Sequence, residues 1–365
     1  MSFSAADHEY MARAIRLAAR GLFTTDPNPR VGCVLVKDGQ IIGEGWHERA
    51  GEAHAEVHAL RQAGERAQGA TAYVSLEPCS HHGRTPPCSE ALLAAQVARV
   101  VLAMSDPNPQ VAGKGIRQLQ EAGIQVETGL LESEARALNP GFIRRMQFRR
   151  PYLRNKLAMS LDGRTAMANG DSKWITGEAA RQDVQRLRAR SSAILTGVGT
   201  ILADDPALTV RLPDAERQPV RVIVDTHLST PTTAKVLSQP GQTLILTANA
   251  DQDVQDSLRA AGAEVIETGH DEQGLDLRVV LETLAELNMN EVLLETGATL
   301  SGAMLEARLI DEMVIYAAPL LMGDTARGLY HLPHLQDMAD RVELDIREVR
   351  TVGKDLRITA IPIYK

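Results

Sequence analysis

Three cysteines among 365 residues are too few for a disulfide framework. Aromatic side chains make up 3% of the chain, so it lacks the stacking surface on which single-stranded nucleic acid is usually held. No long basic run occurs and the formal net charge is −8, which argues against a nucleic-acid partner. No apolar stretch is long enough to span a bilayer. The start, MSFSAADHEYMARAIRLAARG, has neither the basic opening nor the continuous apolar core of a secretory signal. Repeats and low-complexity tracts are absent. What is present is ordinary for a globular enzyme: 44% hydrophobic and 24% charged residues, with length enough for two domains. The expectation is a cytoplasmic enzyme without a membrane or nucleic-acid partner.

The chain is organised around His54 to Cys88, HAEVHALRQAGERAQGATAYVSLEPCSHHGRTPPC. One imidazole (His54) and two thiolates (Cys79, Cys88) form a donor set that suits a catalytic zinc ion with an open fourth position. Glu56, two residues past His54, is placed to move protons and not to bind the metal. His-x-Glu followed by Pro-Cys is the pattern of zinc deaminases, but there the second cysteine follows after two residues; here eight intervene. Two plainer readings stand beside it: two unrelated buried cysteines, or a structural site with a fourth ligand from His81, His82, His47 or His58, none of which has ligand spacing. Cys33, inside VGCVLV, reads as a small buried strand residue.

Around this stretch, helix and strand signals alternate. Met11, Ala14, Ile15 and Ala18 predict an opening helix, and Asp38-Gly39 predicts a hairpin between VGCVLV and QIIGEGW. HAEVHALRQAG reads as a helix with His54 and Glu56 in its first turn, and TAYVSLEP as a strand ending at Cys79. The run from Asn139 to Pro151, with helix breakers at both ends and a basic cluster, reads as a solvated connector between domains 1–148 and 149–365. Beyond it AILTGVGT, PVRVIVDT, QTLILTA, AEVIETG and EVLLE read as buried strands, and VELDIREVRTVGKDLRITAIPI as a closing hairpin. The whole is α/β, with helices covering mixed or parallel sheets. Thr196–Thr200 and Gly297–Gly302 each end a strand with small residues; each is either a tight turn or an anion cradle, and neither is a dinucleotide fingerprint.

TxPNPxVG, HAE and EPCSHHGRTPPC together resemble the deaminase half of the bacterial bifunctional riboflavin-biosynthesis deaminase/reductase family. KLAMSLDGRTA, SKWIT, LADDPALTVR and LLETGATLSGAML resemble its reductase half, so the likeness spans nearly the whole chain. The resemblance implies a cytidine-deaminase-like three-layer domain with a mixed sheet, then a dihydrofolate-reductase-like α/β domain. It implies deamination at carbon 2 of 2,5-diamino-6-(5-phosphoribosylamino)pyrimidin-4-one, followed by NADPH reduction of ribosyl to ribityl. By that likeness His54, Cys79 and Cys88 bind Zn2+ and Glu56 shuttles protons, with Asn28, His47 and Arg84 on the ribotide. Ala158, Trp174, Thr200, Asp204, Thr226 and the run Gly297, Ala298, Thr299, Leu300, Ser301, Gly302 and Ala303 would face NADPH. Lys156, Ser172, Arg188, Leu208, Arg211 and Glu295 would face the substrate, with Lys156 and Asp204 at the hydride-transfer site. A homodimer or higher homo-oligomer through the reductase domain is likewise implied.

From the residues alone two rivals stay open. One is a nucleoside or tRNA deaminase with a non-catalytic second domain; the other is a zinc-stabilised nucleotide-binding regulator without turnover. Consumption of NADPH excludes the first, and the regulator requires that Glu56→Gln change nothing.

Overall fold

A computed structural model describes residues 3–80, 86–109, 111–271 and 274–364, and the chain separates into two compact units, Met1–Arg149 and Arg150–Lys365. The first contains α1 (Ala5–Ala18), β1 (Gly32–Lys37), β2 (Gln40–Trp46), α2 (Ala55–Ala63), β3 (Thr71–Val74), α3 (Cys88–Ala94), β4 (Arg99–Leu102), α4 (Lys114–Glu121), β5 (Gln125–Thr128), α5 (Glu132–Leu138) and α6 (Pro140–Phe148). Its sheet has the order β2-β1-β3-β4-β5, antiparallel around β1 and parallel from β3 to β5. Apolar clusters cover both faces, and Cys33 is fully buried in one of them, as expected. At the β1–β2 turn both Asp38 and Gly39 have positive φ, the conformation Asp-Gly hairpins favour.

The placement of α2 follows from small residues. Ala55, Ala59 and Ala63 are all buried on one face, and that face rests on Gly43 and Gly45 of β2. A Cβ at Gly43 would lie 2.2 Å from the Ala59 carbonyl oxygen, and one at Gly45 would lie 2.3 Å from that of Ala55. Bare glycines therefore set how deeply the helix sits, and with it the height of His54 and Glu56 over the sheet.

The run 139–151 holds the boundary between the two units, after Arg149, but most of it is helix α6 and not a solvated connector. Pro140 occupies the first helical turn of α6, where a missing N–H costs nothing, and the helix buries Gly141 and Ile143. Asn139 is buried and exchanges two hydrogen bonds with the Arg30 backbone, at 2.8 and 2.9 Å.

The second unit contains β6 (Tyr152–Ser160), β7 (Arg164–Ala166), α7 (Glu178–Arg190), β8 (Ala193–Gly197), α8 (Val198–Asp204), β9 (Val220–Val224), β10 (Thr243–Thr247), α9 (Gln252–Ala260), β11 (Ala263–Glu267), β12 (His270–Asp271), β13 (Gly274–Leu275), α10 (Leu277–Glu286), β14 (Glu291–Leu294), α11 (Ala298–Glu306), β15 (Glu312–Ala318), β16 (Arg327–Gly328), β17 (Glu343–Val352) and β18 (Asp355–Ile363). Nine strands form one sheet in the order β11-β10-β9-β8-β14-β6-β15-β18-β17. It is parallel from β11 to β15, and the terminal hairpin adds antiparallel at one edge. The chain builds outward from β8 to β11 and returns to insert β14 between β8 and β6. That reversal makes a switch point, where open α/β sheets bind ligands.

Arg154 on β6 is 2% exposed and pairs with Glu291 at 3.0 Å and with Glu312. Removing one member of a buried ion cluster leaves charge without compensation. Arg154→Ala is therefore expected to cost about 3–5 kcal/mol. The measurement is the urea midpoint of the second unit's unfolding transition.

Candidate active sites

Residues far apart in the first unit converge at the N-terminus of α2. His54 is the N-cap residue of that helix, Cys79 follows β3, and Cys88 is the first residue of α3. Their donor atoms lie within 4.8 Å of one another, with His54 Nδ1 3.2 Å from Cys88 Sγ and 3.6 Å from Cys79 Sγ. Tetrahedral ligands at zinc–nitrogen and zinc–sulfur bond lengths stand roughly 3.5–3.8 Å apart, so the donor set fits the ion. The thiols are poised for it. The Cys79 thiol is pushed down by its hydrogen bond with the Cys88 thiol, against opposing burial, with His54 helping. The Cys88 thiol is pushed the other way by the same hydrogen bond and by burial.

Glu56 is 3% exposed, in the first turn of α2. Burial pushes its carboxyl up, and the Cys79 charge adds to this. A carboxyl so placed is suited to receive and return a proton. His47 is buried, its ring 5.1 Å from that of His54 and nearly perpendicular to it. Its Nδ1 lies 3.2 Å from the Ala53 carbonyl oxygen, and its Nε2 lies 3.1 Å from the Asn28 amide nitrogen. Burial lowers its basicity, so the neutral ring donates to Ala53 and accepts from Asn28. His47 thereby orients Asn28, which is half-buried. Arg84, His81 and His82 lie outside the described residues.

In the second unit a cleft of about 1600 Å³ opens at the switch point. Pockets for one small ligand span roughly 300–1,000 Å³, so this one has room for a dinucleotide and a second molecule. One wall is built by Lys156 and Ala158 of β6, with Ser172 and Trp174 from the segment after β7. Thr200 and Asp204 of α8 and Thr226 beyond β9 line another part, and Gly297, Ala298, Thr299, Leu300 and Ala303 a third. A Cβ at Gly297 would meet nothing within 4 Å, so the α11 N-terminus is open to an anion such as a dinucleotide's phosphates. Ser301 and Gly302 do not belong with them. Both are buried, and a Cβ at Gly302 would lie 2.0 Å from the His331 carbonyl oxygen. The run is a helix and not a loop, so its periodicity turns these two inward.

Glu295, 8% exposed, accepts both arms of Arg188 at 2.6 and 2.9 Å and has Lys156 Nζ at 3.6 Å. Burial pushes its carboxyl up, but the Arg188 and Lys156 charges outweigh this and bring it down to about 2. Arg211 is exposed at the rim, while the Leu208 side chain is buried among Ile194 and Ile201. Asp204 is half-exposed, with Lys173 Nζ 3.9 Å away. Sequence reasoning missed three cations on the cleft: Arg181, Arg278 and Arg327. Arg181 lies 4.8 Å from the Trp174 ring centroid, a contact between α7 and the loop before it that no local spacing signals.

The model for the RibD C-terminal domain matches residues 151–358, and that for the cytidine and deoxycytidylate deaminase zinc-binding region matches 4–104. The riboflavin biosynthesis protein RibD of Escherichia coli K12 is 53% identical, covering 96% of this chain and 98% of its own. That of Haemophilus influenzae is 47% identical over 99% of each. A solved structure of Acinetobacter baumannii RibD superposes with a TM-score of 0.92 at 49% identity, covering 98% of this chain and 99% of that one. Another, from Thermotoga maritima, is described as a diaminohydroxyphosphoribosylaminopyrimidine deaminase/5-amino-6-(5-phosphoribosylamino)uracil reductase. It has a TM-score of 0.86 at 33% identity, covering 98% and 99%. Matched from end to end by such relatives, and by family models on both of its units, the chain belongs to the RibD family of riboflavin biosynthesis proteins.

Proposed function

We propose that one chain carries out two successive steps on a pyrimidine ribotide. The first unit hydrolytically deaminates 2,5-diamino-6-(5-phosphoribosylamino)pyrimidin-4-one. The second reduces the ribosyl group with NADPH, giving 5-amino-6-(5-phosphoribitylamino)uracil. The observation that carries this reading is the pairing, in one chain of this family, of a His54–Cys79–Cys88 donor set beside a buried Glu56 with a large cleft at a sheet switch point.

Held by His54, Cys79 and Cys88, zinc supplies a Lewis acid that makes water a competent nucleophile near neutral pH. Glu56 carries one proton from the attacking water to the ring nitrogen, and then the water's second proton to the amine, which departs as ammonia. Its burial keeps that proton from bulk solvent, and Asn28, oriented by His47, holds the pyrimidine edge. In the second unit Trp174, Thr200, Thr226 and the α11 N-terminus hold the cofactor, whose chemistry is delivery of hydride. Arg188 and Glu295 fix Lys156 beside the reacting sugar carbon, where its ammonium stabilises the oxygen that gains charge. Asp204, across the cleft, serves the proton traffic, and Arg211, at the rim, engages the phosphate.

We assign the chain to the cytoplasm as a homodimer formed through the second unit. Among the described residues no helix is long and apolar enough to cross a membrane. The edge strand β17 exposes Leu344, Ile346 and Val349, an apolar edge of the kind that pairs with a second copy. Light scattering on the purified protein tests this, and a monomer at micromolar concentration overturns it.

The test of function is mass-spectrometric product analysis of the zinc-loaded protein on the diaminopyrimidine ribotide. Deaminated ribosyl product without NADPH and deaminated ribityl product with it are expected. No conversion by zinc-loaded protein overturns the substrate assignment.

A further inference from the structure

Glu77 precedes the Pro78-Cys79 metal-ligand pair and takes no place in the chemistry above. It is 4% exposed, yet among the described residues its carboxylate is met by backbone N–H groups and by no cationic side chain. Oε2 accepts from Asp106 and Gly113, each at 3.0 Å. Oε1 accepts from Gly115 at 3.1 Å and Ile116 at 3.4 Å, both in the first turn of α4. The Glu77 N–H itself donates to the Met104 carbonyl oxygen at 3.0 Å. A buried carboxylate met by several N–H groups at a helix start is held by its charge and by the free donors that helix presents.

The same helix closes on the metal ligand from a second direction. A Cβ at Gly115 would lie 2.2 Å from the Pro78 carbonyl oxygen, so α4 packs directly against the peptide that carries Cys79. Gln118, one turn further along α4, accepts from Ser89 Oγ at 2.7 Å, and Ser89 Oγ lies 3.1 Å from the Cys79 carbonyl oxygen. The peptide that carries Cys79 thus meets α4 directly at the Pro78 carbonyl and indirectly through Ser89 of α3, which bonds to Gln118, and Glu77 is the acidic member of this set.

We infer that Glu77 is a positioning residue of the metal centre: its carboxylate locks Pro78-Cys79 to α4 so that the Cys79 thiolate stands at ligand distance from His54 and Cys88. The inference rests on the zinc reading of that cluster. It concerns a residue that touches neither metal nor substrate, and its effect is exerted through the geometry of Cys79.

Glu77→Gln keeps the shape but sets an amide NH2 against N–H donors. Partners that orient metal ligands typically contribute a factor of ten to a hundred in affinity, so zinc should bind roughly 10–100-fold more weakly. The Co2+-substituted variant should show shifted and weakened visible d–d bands. Gly115→Ala, which pushes on Pro78 while leaving the Glu77 carboxylate intact, should move the same bands. Leu119→Ala, on the same helix but in the apolar core, serves as the control for general destabilisation, with unchanged zinc affinity and spectrum. All are made in the full chain, with zinc affinity read by competition with a chelating dye. Zinc affinity within twofold of the parent for Glu77→Gln, with an unaltered cobalt spectrum, overturns the inference. So does an equal loss in Leu119→Ala. Failure of the unmutated protein to bind zinc overturns the metal reading itself and is seen separately.

Discussion

Glu56→Gln is expected to lower the deamination rate by roughly 10²–10⁴-fold, the range over which a positioned proton carrier contributes. The amide is nearly isosteric, and Glu56 is not in the donor set, so the variant should retain zinc. It should also reduce the deaminated ribosyl compound with NADPH at the parent rate, because the cleft lies wholly in the second unit. A coupled assay begun from the diaminopyrimidine ribotide should then stall at its first step, and supplying the deaminated intermediate should restore product. The regulator reading demands the opposite, an unchanged protein. Loss of zinc together with activity would mean that Glu56 supports the ligands, contrary to the role assigned here.

Lys156→Ala should have the converse effect. If Lys156 has the proposed role beside the reacting carbon, removing its ammonium should slow reduction by roughly 10²–10³-fold, the scale of losing one group that stabilises developing charge. Deamination should be untouched, so the deaminated ribosyl ribotide accumulates and is seen directly by mass spectrometry. The partner carboxylate makes a prediction of its own. Glu295 titrates at about 2 in the folded chain against an ordinary 4.5. Its folded value is the lower of the two, so its stabilisation is complete above pH 4.5 and is lost as pH falls towards 2. An acid-unfolding profile of the second unit should show that loss, and Glu295→Gln should flatten it.

Legibility in the sequence followed the distance over which each contact is made. His54 and Glu56 sit at the start of one helix, so their pairing was a local signal; the strand expected to end at Cys79 stops at Val74, and a loop carries the chain on to the ligand. Asn28 and His47 had no such signal, since their contact joins a proline-rich loop to the far end of β2. Glu77 was hidden for the same reason: the partners of its carboxylate begin 29 positions away, at Asp106. Proline and glycine misled the reading at 139–151, because Pro140 starts a helix as readily as it ends one. Around Gly297 the reverse occurred. Gly297–Gly302 read as a turn, and the resemblance implied that all seven residues to Ala303 face the cofactor, whereas α11 already begins at Ala298 and a helix can present only some of them to a ligand. The Arg154–Glu291–Glu312 cluster spans three strands of the sheet and leaves no mark on local pattern.

The seat of α2 on Gly43 and Gly45 has an evolutionary consequence. In a saturation mutagenesis screened for activity, both positions should be as intolerant as the metal ligands, although neither approaches the substrate. Even alanine would lift the helix by a fraction of its own diameter, carrying the proton carrier away from thiolates anchored on separate elements. Neutral drift is therefore closed at these two sites by a spacing requirement and not by a chemical one. Routes to new substrates in this unit are left to run through the loops around the pocket, with the helix on its seat.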